Sequence, residues 1–113
     1  MQVVAPPGGV DEARRFYVEV IGLEEIARPP TMGGTGAWFR VGRQELHVSE
    51  HEDFAPVTKA HPAFEVSTEE LDALANRIAG AHGRVEWDDR LPGARRFYAF
   101  DAAGNRLEFL ARG

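Results

Sequence analysis

Five side chains that could hold a divalent cation lie on short segments in which apolar and polar residues alternate. Side chains alternate across a β-strand, so these polar groups are expected on the face opposite the apolar residues. Carboxylates, imidazoles and an amide together suit cations of borderline hardness, such as Zn²⁺, Mn²⁺, Fe²⁺, Ni²⁺ or Co²⁺. The candidate ligands are Gln2, Glu45, His47, His61 and Glu108. The remaining histidines, His51 and His82, are interpreted as solvated side chains without a metal role.

A solvated sheet face is the competing interpretation of the same residues. An antiparallel sheet often has one face in water, and polar side chains there carry no function. Glu45 taken alone is typical of exposed surface, because charged residues are mostly exposed. His47 and Glu108 each lie between two apolar residues, and His61 precedes a proline, so all three also fit structural or outward positions. Ligands from four strands would leave no compact motif, and the pattern alone keeps both interpretations open.

An internal repeat predicts the elements that must position these residues. Apolar residues recur at helical spacing in residues 10–21, and the pattern returns 58 positions later in residues 68–79. The two stripes comprise Ala13, Phe16, Tyr17, Val20 and Ile21, and then Leu71, Leu74, Ala75, Ile78 and Ala79. Two amphipathic helices are predicted, with Phe16 and Leu74 in equivalent buried places. Replacing a core Phe16 with alanine is then expected to cost roughly 3–5 kcal/mol.

Each predicted helix has one predicted strand before it and three after it. The strands of the first module are Gln2–Ala5, Leu23–Ile26, Ala37–Val41 and Glu45–Ser49. Those of the second are His61–Val66, Arg84–Trp87, Arg96–Phe100 and Arg106–Leu110. Turn residues separate the strands, and a longer loop joins the two halves. The pattern predicts an α+β protein of two tandem βαβββ modules in one domain, residues 1–113, with module 1 at about 1–50 and module 2 at about 60–113.

Length, charge and composition limit the class of protein. The 113 residues suit one compact domain with an apolar core. The formal net charge is −5 and no basic face stands out, which argues against a nucleic-acid binder. No apolar run approaches the roughly 20 residues that span a bilayer, and the first residues lack a signal-peptide pattern. The absence of cysteine excludes disulfides and thiolate chemistry. A cytoplasmic, soluble protein with a small-molecule substrate and no nucleic-acid or membrane partner is expected.

Four segments that cover nearly the whole chain carry a family resemblance. They are Ala13–Leu23 (ARRFYVEVIGL), Gly42–His47 (GRQELH), Ala60–Val66 (AHPAFEV) and Asp101–Leu110 (DAAGNRLEFL). In this order they resemble the vicinal oxygen chelate family of glyoxalases, bleomycin-resistance proteins and extradiol dioxygenases. The last segment is similar to the family's common ending, DPDGN-x-hydrophobic-E. The resemblance implies a cupped mixed sheet built from two βαβββ modules, and a homodimer, because single-domain relatives of this size usually pair.

The resemblance also implies one metal ligand from each of the first, fourth, fifth and eighth strands. Glu108 matches the last-strand glutamate, and a carboxylate on the metal can also move a proton during catalysis. His61 matches the histidine that opens the second module. The fourth-strand ligand is either Glu45 or His47, which are two residues apart on one face.

The first-strand ligand depends on the length of the segment before the first helix. Gln2 matches it if no insertion precedes the helix. If Pro6–Gly9 contains an insertion of two residues, the ligand position falls before Met1 instead. Both alignments stay open at the level of the sequence.

The chemistry that the resemblance implies depends on an exposed metal edge. Three or four protein ligands leave room for two neighbouring substrate oxygens, and the metal stabilises an enolate or oxyanion as a Lewis acid. Relatives isomerise hemithioacetals, epimerise acyl-CoAs, open epoxides with thiols or cleave catechols with O₂. The implied function is therefore a divalent-metal-dependent lyase, isomerase or dioxygenase. Glyoxalase I proper is disfavoured by the short chain, whereas His47, His61 and Glu108 would form a set that suits Fe²⁺.

A metal-free small-molecule binding or drug-resistance protein, similar to the bleomycin-resistance proteins, is the second hypothesis. Its ligand cleft would use aromatic side chains, although large aromatics more often lie in a core. The aromatic candidates are Trp38, Trp87, Phe97 and Tyr98. In this hypothesis Arg40 or Arg106 neutralises the carboxylates in place of a cation.

Overall fold

The computed structural model describes residues 1–56 and 58–112, which form two four-stranded mixed sheets, each with a helix on one face. The first module contains β1 (Gln2–Ala5), α1 (Val10–Arg15, continued by a π-helical segment, Phe16–Ile21), β2 (Glu24–Ile26), a short 3₁₀ turn (Pro30–Met32), β3 (Gly36–Val41) and β4 (Gln44–Glu50). The second contains β5 (Ala63–Glu65), α2 (Thr68–Gly80), β6 (Val85–Asp88), β7 (Ala94–Phe100) and β8 (Arg106–Arg112). The predicted α+β fold of two βαβββ modules is confirmed.

The two sheets have the same strand order, β1-β4-β3-β2 in the first and β5-β8-β7-β6 in the second. In each sheet the first strand runs parallel to the last, and the other neighbours are antiparallel. Strand β5 begins at Ala63 instead of the predicted His61. Pro62 has no N–H to donate to the ladder, although its carbonyl accepts a bond from the Glu108 backbone N–H (3.0 Å). His61 therefore lies in the segment that leads into the strand.

Alternation along the strands separates a buried face from a polar face in each sheet. Leu46 and Leu107 are fully buried beneath the helices, as the sequence predicts. We call the opposite side, which carries the candidate ligands, the outer face of each sheet. The buried side chains of both modules form one continuous apolar cluster, so the helices and the inner sheet faces share a single core.

The first helix departs from the prediction at Phe16, where α-helical bonding gives way to the π-helical segment. The Gly22 N–H bonds to the Tyr17 carbonyl, five residues back, at 3.1 Å. With this wider turn, Tyr17 is fully buried, whereas Phe16 is only half-buried at the margin of the core. The prediction that Phe16 and Leu74 occupy equivalent buried places is therefore wrong for Phe16.

Helix α2 follows the predicted stripe more closely. Ser67 caps its start, because the Ser67 Oγ accepts a bond from the Glu70 backbone N–H at 3.2 Å. The buried residues of this helix are Leu71, Leu74, Ala75 and Ile78. Ala79, also predicted on the stripe, is exposed. It lies roughly 80° around the helix from Leu71, at the edge of the face that the core can cover.

A buried carboxylate joins the two modules. Asp101, in the turn between β7 and β8, accepts a hydrogen bond from the Tyr17 hydroxyl of the first module at 2.7 Å. Its carboxylate also accepts bonds from the Asn105 side-chain amide (2.9 Å) and from the backbone N–H groups of Ala103 (3.0 Å) and Asn105 (2.8 Å). The Asn105 amide bonds in turn to the Val4 carbonyl of β1 at 2.6 Å. The charge is therefore fully satisfied although Asp101 is buried.

A second contact between the modules caps the first helix. Arg77 of α2 donates to the Val20 and Ile21 carbonyls, at 3.1 and 3.3 Å, where the π-helical segment ends. Gly22 ends that segment with a φ of 92°, a left-handed conformation that suits glycine. A cation at the carboxyl end of a helix is electrostatically favourable. The contact therefore stabilises the helix end and the packing of the two helices together.

Because the Tyr17 hydroxyl is buried, we expect the stability of the protein to fall as the pH rises into the alkaline range. Burial raises the pKa of Tyr17 well above its ordinary value, and the neighbouring Asp101 carboxylate raises it further. The folded state thus holds this proton more tightly than the unfolded state. Its contribution to the free energy of unfolding is complete below about pH 10, the pKa of an unfolded tyrosine, and is lost as the pH rises towards the folded-state value. Urea unfolding at neutral pH and at about pH 10–11 measures this loss.

The Tyr17→Phe variant isolates that contribution. It should lose roughly 1–3 kcal/mol of stability near neutral pH, because Asp101 loses a buried donor. The variant should then show a smaller further loss at alkaline pH than the wild type. An unchanged alkaline loss in this variant would assign the pH dependence to other groups.

The margin position of Phe16 predicts a smaller mutational cost than a core phenylalanine would have. Leu74→Ala should cost roughly 2–5 kcal/mol, because Leu74 is nearly fully buried. Phe16→Ala should cost less than the roughly 3–5 kcal/mol of a buried phenylalanine. Denaturant unfolding of both variants measures the difference, and a larger loss for Phe16→Ala than for Leu74→Ala would contradict the assignment.

Candidate functional site

The outer face of the second sheet holds a histidine–glutamate pair. The His61 Nε2 lies 3.0 Å from the Glu108 Oε1, and both side chains are largely buried. The Nδ1 of the same ring lies 3.0 Å from the Lys59 backbone carbonyl oxygen. Because a carbonyl only accepts, Nδ1 must carry a proton, and Nε2 is the nitrogen turned to the carboxylate. Without a proton or a metal cation between them, two acceptors would face each other.

The position of Glu108 explains its burial. Strand β8 lies inside the sheet between β5 and β7, and Glu108 is paired with Ala63 on one side and Tyr98 on the other. The flanking strands therefore shield the carboxylate from both sides. A charge in such a place needs hydrogen-bonding or ionic partners.

Arg96, from the neighbouring strand, is one such partner. Its Nη1 lies 3.2 Å from the Glu108 Oε2, and its Nη2 lies 3.1 Å from an oxygen of Asp88. The prediction that Arg40 or Arg106 plays this role is wrong. Arg40 pairs with a glutamate of the other sheet, and Arg106 forms no ion pair within the described part of the chain. Arg96 can reach both carboxylates because its strand, β7, lies between β6 and β8.

The pKa values of Asp88 and Arg96 keep these two groups of the ion-pair network charged. Burial raises the pKa of Asp88, but hydrogen bonds from Arg90 and Arg96 outweigh it and hold the value below the usual one. Burial also lowers the pKa of Arg96, but hydrogen bonds to Asp88 and Glu108 outweigh it and hold the value above the usual one. Arg96 is therefore a permanent cation beside the candidate ligand Glu108.

Tyr98 lies at the centre of the same face. Its ring meets the His61 ring edge-on, with 5.5 Å between centroids, and the Arg96 Cζ lies 5.3 Å from its centroid. The Arg106 Cζ lies over the ring at 3.8 Å, in cation–π contact. We call His61, Arg96, Tyr98, Arg106 and Glu108 the second-sheet cluster.

The outer face of the first sheet carries the candidates of the first module, which we call the first-sheet group: Gln2, Glu45 and His47. The His47 Nε2 lies 2.9 Å from the Glu45 Oε1, and the His47 ring stacks on Trp38 at 3.8 Å between centroids. Gln2 lies beside His47 in the strand register, and its amide donates to the Ser49 hydroxyl at 2.6 Å. This group is more open to solvent than the His61–Glu108 pair.

The two groups do not merge within one chain. Among residues 1–56 and 58–112, no three His, Cys, Asp or Glu side chains come together as a cation site. Strand alternation thus correctly separated the polar face of each sheet from the buried face, but the predicted convergence of both modules on one site is not seen among the described residues of a single chain. The roles of Gln2, Glu45, His47, His61 and Glu108 in metal binding, and that of Glu108 in catalysis, stay predictions.

The four aromatic candidates for a ligand cleft occupy different environments. Phe97 is a core residue, and Trp87 packs edge-on against it while remaining exposed. Trp38 covers His47 on the first sheet, and Tyr98 belongs to the second-sheet cluster. These side chains therefore line no common cleft, and only Trp38 and Tyr98 contact candidate ligands.

Sequence reasoning missed two charged residues of the second sheet, Asp88 and Arg96. They are directly opposite each other in the β6–β7 register. Alternation along β7 places Arg96 and Tyr98 on one face. This pattern is the sequence signal that could have identified Arg96 as a site residue. The register that brings this face next to Glu108 is a long-range property that the sequence pattern does not contain.

The two histidines interpreted as solvated are both exposed. His51 has its Nε2 3.0 Å from the Ser49 hydroxyl. His82 follows α2 with a φ of 65°. Neither contacts the His61–Glu108 pair.

A cleft of about 490 Å³ lies between the modules, away from the candidate ligands. Phe64, Leu74 and Phe109 are among its apolar residues, and Arg40 and Arg77 are among its charged ones. None of the predicted metal ligands lines it. The cleft and the candidate metal site are therefore separate features.

Comparison with known proteins agrees with the fold. Among the described residues, no helix is both long and apolar enough to cross a membrane. The search of the curated proteins gave no match. Among solved structures, the chain is similar to a glyoxalase family protein from Bacillus anthracis, with a TM-score of 0.92 and 40% identity over 99% of this chain and 91% of that one.

Two further solved structures extend the comparison. A lactoylglutathione lyase from Agrobacterium tumefaciens has a TM-score of 0.78 and 26% identity, over 98% of this chain and 90% of that one. A mutant of the fosfomycin resistance protein FosX from Listeria monocytogenes, complexed with Mn(II) and 1S,2S-dihydroxypropylphosphonic acid, shares the fold, with a TM-score of 0.81 and 19% identity over 99% and 88% of the two chains.

The sequence itself matches a family over nearly its whole length. The match covers residues 2–109, from the first strand to the last, and so includes both modules and every candidate ligand. The chain therefore belongs to the Glyoxalase/Bleomycin resistance protein/Dioxygenase superfamily.

Proposed function

We propose that this protein is a divalent-metal-dependent lyase, isomerase or dioxygenase that acts on a small molecule with adjacent oxygens. The His61–Glu108 pair carries the proposal. Its Nε2 and Oε1 atoms are 3.0 Å apart, and the Lys59 carbonyl selects the ring tautomer whose lone pair is turned towards Glu108. A histidine that donates its other N–H to a carbonyl is the usual form of a metal-ligating histidine.

The donor types fit a borderline cation. An imidazole nitrogen and a carboxylate oxygen both bind Zn²⁺, Mn²⁺, Fe²⁺, Ni²⁺ and Co²⁺. Arg96 engages only the Glu108 Oε2, so the Oε1 remains directed at His61. Arg96 would therefore orient the carboxylate while leaving one oxygen for a cation. The Mn(II) complex of FosX and the lactoylglutathione lyase support a metal and a lyase-type reaction by analogy of fold and family.

Two ligands are too few for a metal enzyme, which commonly uses three protein ligands and an open position. The first-sheet group offers the missing donors, but it does not join the His61–Glu108 pair within the described chain. We therefore propose a homodimer in which the first sheet of one copy faces the second sheet of the other. Glu45 or His47, with Gln2 adjacent, would complete the ligand set.

A dimer of this kind would also cover surfaces that the single chain leaves open. Within the described part of the chain, no layer covers the partly buried aromatic and charged side chains of the outer faces. Each sheet also ends in edge strands whose backbone groups could pair or be covered. Joining two open faces would form the cup that the fold predicts and exclude water from the ligands.

The proposed chemistry divides roles among the residues of the site. A bound cation would supply Lewis-acid stabilisation of an enolate or oxyanion. His61 and Glu108 would hold it, and Glu108 is also the proposed catalytic carboxylate, which would exchange a proton with the substrate. Arg96 holds the Glu108 side chain in place through the opposite oxygen. Tyr98 and Trp38 would shield the ligands from water.

A metal-free binding protein is the second candidate, and the Arg96–Glu108 ion pair favours it. In that pair the arginine neutralises the buried carboxylate without a metal ion. A protonated His61 would then donate the second hydrogen bond to Glu108. The ligand would still be a small molecule. A cytoplasmic location is proposed for both candidates, in keeping with the composition of the chain.

Metal titration tests the proposal directly. Protein purified without chelator, then stripped and titrated by calorimetry near neutral pH, should bind one of Zn²⁺, Mn²⁺, Fe²⁺, Ni²⁺ or Co²⁺ stoichiometrically. His61→Ala and Glu108→Gln should each abolish stoichiometric binding, because each removes one of the two donors in the pair. Circular dichroism and thermal unfolding check that each variant remains folded.

Two exposed residues provide matched controls. Glu65→Gln removes a carboxylate from the outer face of β5, and His82→Asn removes an exposed imidazole while keeping a residue that tolerates positive φ. Both control variants should bind the metal as the wild type does. A wild type that takes up none of the five cations would reject the enzyme and leave the metal-free binding protein.

The oligomeric state is a separate prediction. Light scattering should give the mass of a dimer, and Glu45→Gln with His47→Ala should weaken metal binding without unfolding the second module. A mass that stays monomeric at every concentration, with metal present, would contradict the shared site.

A further inference from the structure

Arg106 lies on the outer face of the second sheet and has no polar partner among residues 1–56 and 58–112. Its guanidinium lies over the Tyr98 ring at 3.8 Å, but no hydrogen bond or ion pair joins it to the described residues. Its Nε is buried and has no hydrogen-bond acceptor. The Arg106 side chain as a whole is only half-buried, so the guanidinium is open to solvent on one side. The side chain therefore presents a charged guanidinium, stacked on Tyr98, at the surface of the candidate site.

Comparison with Arg84, which also stacks on an aromatic ring, shows what is missing at Arg106. Arg84 lies over the Phe100 ring at 3.9 Å, which is nearly the same stacking geometry. Arg84 is also paired with Glu86 at 2.9 Å, so its charge is neutralised locally. Arg106 has no such carboxylate among the described residues, although the whole chain carries an excess of acidic residues and a net charge of −5. Buried donors are normally satisfied, and an orphan in a polar cluster indicates a missing partner.

We propose that Arg106 binds an anionic group of the substrate, a carboxylate or a phosphoryl-type oxyanion. The planar guanidinium can hold two oxygens of either group through parallel N–H bonds. Stacking on Tyr98 fixes the plane of the guanidinium before the ligand arrives, which lowers the ordering cost of binding. The partly dehydrated surroundings of the buried Nε strengthen the attraction of the charge for an anion.

The position of Arg106 relative to Glu108 sets the shape of the substrate, and this step rests on the proposed function. The two residues are separated by two positions on β8 and share its outer face, so their Cα atoms are roughly 7 Å apart. The guanidinium leans further towards Glu108, because Tyr98 is the residue paired with Glu108. The substrate would thus carry adjacent oxygens at one end and an anionic group a few bonds away.

Anion titration of the metal-free protein tests the inference. Inorganic phosphate and acetate are added separately at constant ionic strength, while ¹⁵N NMR follows the arginine Nε–H signals. In the wild type the Arg106 signal should shift saturably with at least one anion, and Arg106→Gln should weaken binding by about tenfold or more. Tighter phosphate binding indicates a phosphoryl-type group, and tighter acetate binding indicates a carboxylate.

Two arginines of the same face serve as controls. Arg84→Gln removes a stacked but ion-paired guanidinium, and Arg112→Gln removes an exposed charge from the same strand as Arg106. Both should keep anion affinity within about twofold of the wild type. Equal losses in all three variants, or no saturable shift with either anion, would overturn the proposal.

Two further measurements separate this inference from the metal proposal. Arg106→Lys keeps the positive charge but loses the planar guanidinium with its two parallel N–H donors. It should therefore bind the anion more weakly than the wild type while remaining folded. Arg106→Gln should bind the metal with unchanged affinity. If the wild type binds no metal but its anion binding depends on Arg106, the metal-dependent function fails and the anion site stands. An Arg106→Gln protein that is folded and binds anions like the wild type rejects the anion site alone.

Discussion

The carboxylate of Asp101 is the point at which the two modules are joined. It accepts four hydrogen bonds, one of them from the hydroxyl of Tyr17 in the first module and one from the amide of Asn105. Asn105 extends the connection to the backbone of β1 through Val4. A buried charge with this many donors tolerates few alternative geometries, because each lost partner would leave an unsatisfied group in the core. The relative position of the sheets therefore depends on this small polar network.

The same network sets the start of the strand that carries the candidate site. Asp101 and Asn105 define the turn that precedes β8, and Glu108 follows three residues after Asn105. Because β8 lies inside the second sheet, its register determines what surrounds Glu108: Ala63 and the approach of His61 on one side, and Tyr98 on the other. The structural role of Asp101 and the proposed chemical role of Glu108 are thus linked through one short segment of chain.

The electrostatics of the outer face differ between the two modules. In the second sheet, Arg96 divides its hydrogen bonds between Asp88 and Glu108, which leaves the second oxygen of Glu108 directed at His61. In the first sheet, the Glu45 and His47 side chains pair with each other, the His47 ring stacks on Trp38, and both side chains are more accessible than the His61–Glu108 pair. Neighbouring charges decide whether a carboxylate binds a metal cation or pairs with a protein side chain. Proteins that share this fold can therefore still differ in their chemistry.

Local sequence patterns were sufficient for the modules and for the polar face of each sheet. The displaced apolar stripes predicted both helices, and alternation along the strands placed Leu46 and Leu107 inside and His47 outside, because these periodicities follow from the geometry of a single element. Three features depended on the tertiary structure: the half-buried position of Phe16, the ion pair of Arg96 with Glu108, and the separation of the first-sheet group from His61. Each results from register or packing between residues far apart in the chain, and a local pattern contains no information on which distant strand becomes the neighbour. The sequence by itself therefore determined which residues share a face, whereas only the tertiary structure decided which charged groups meet there.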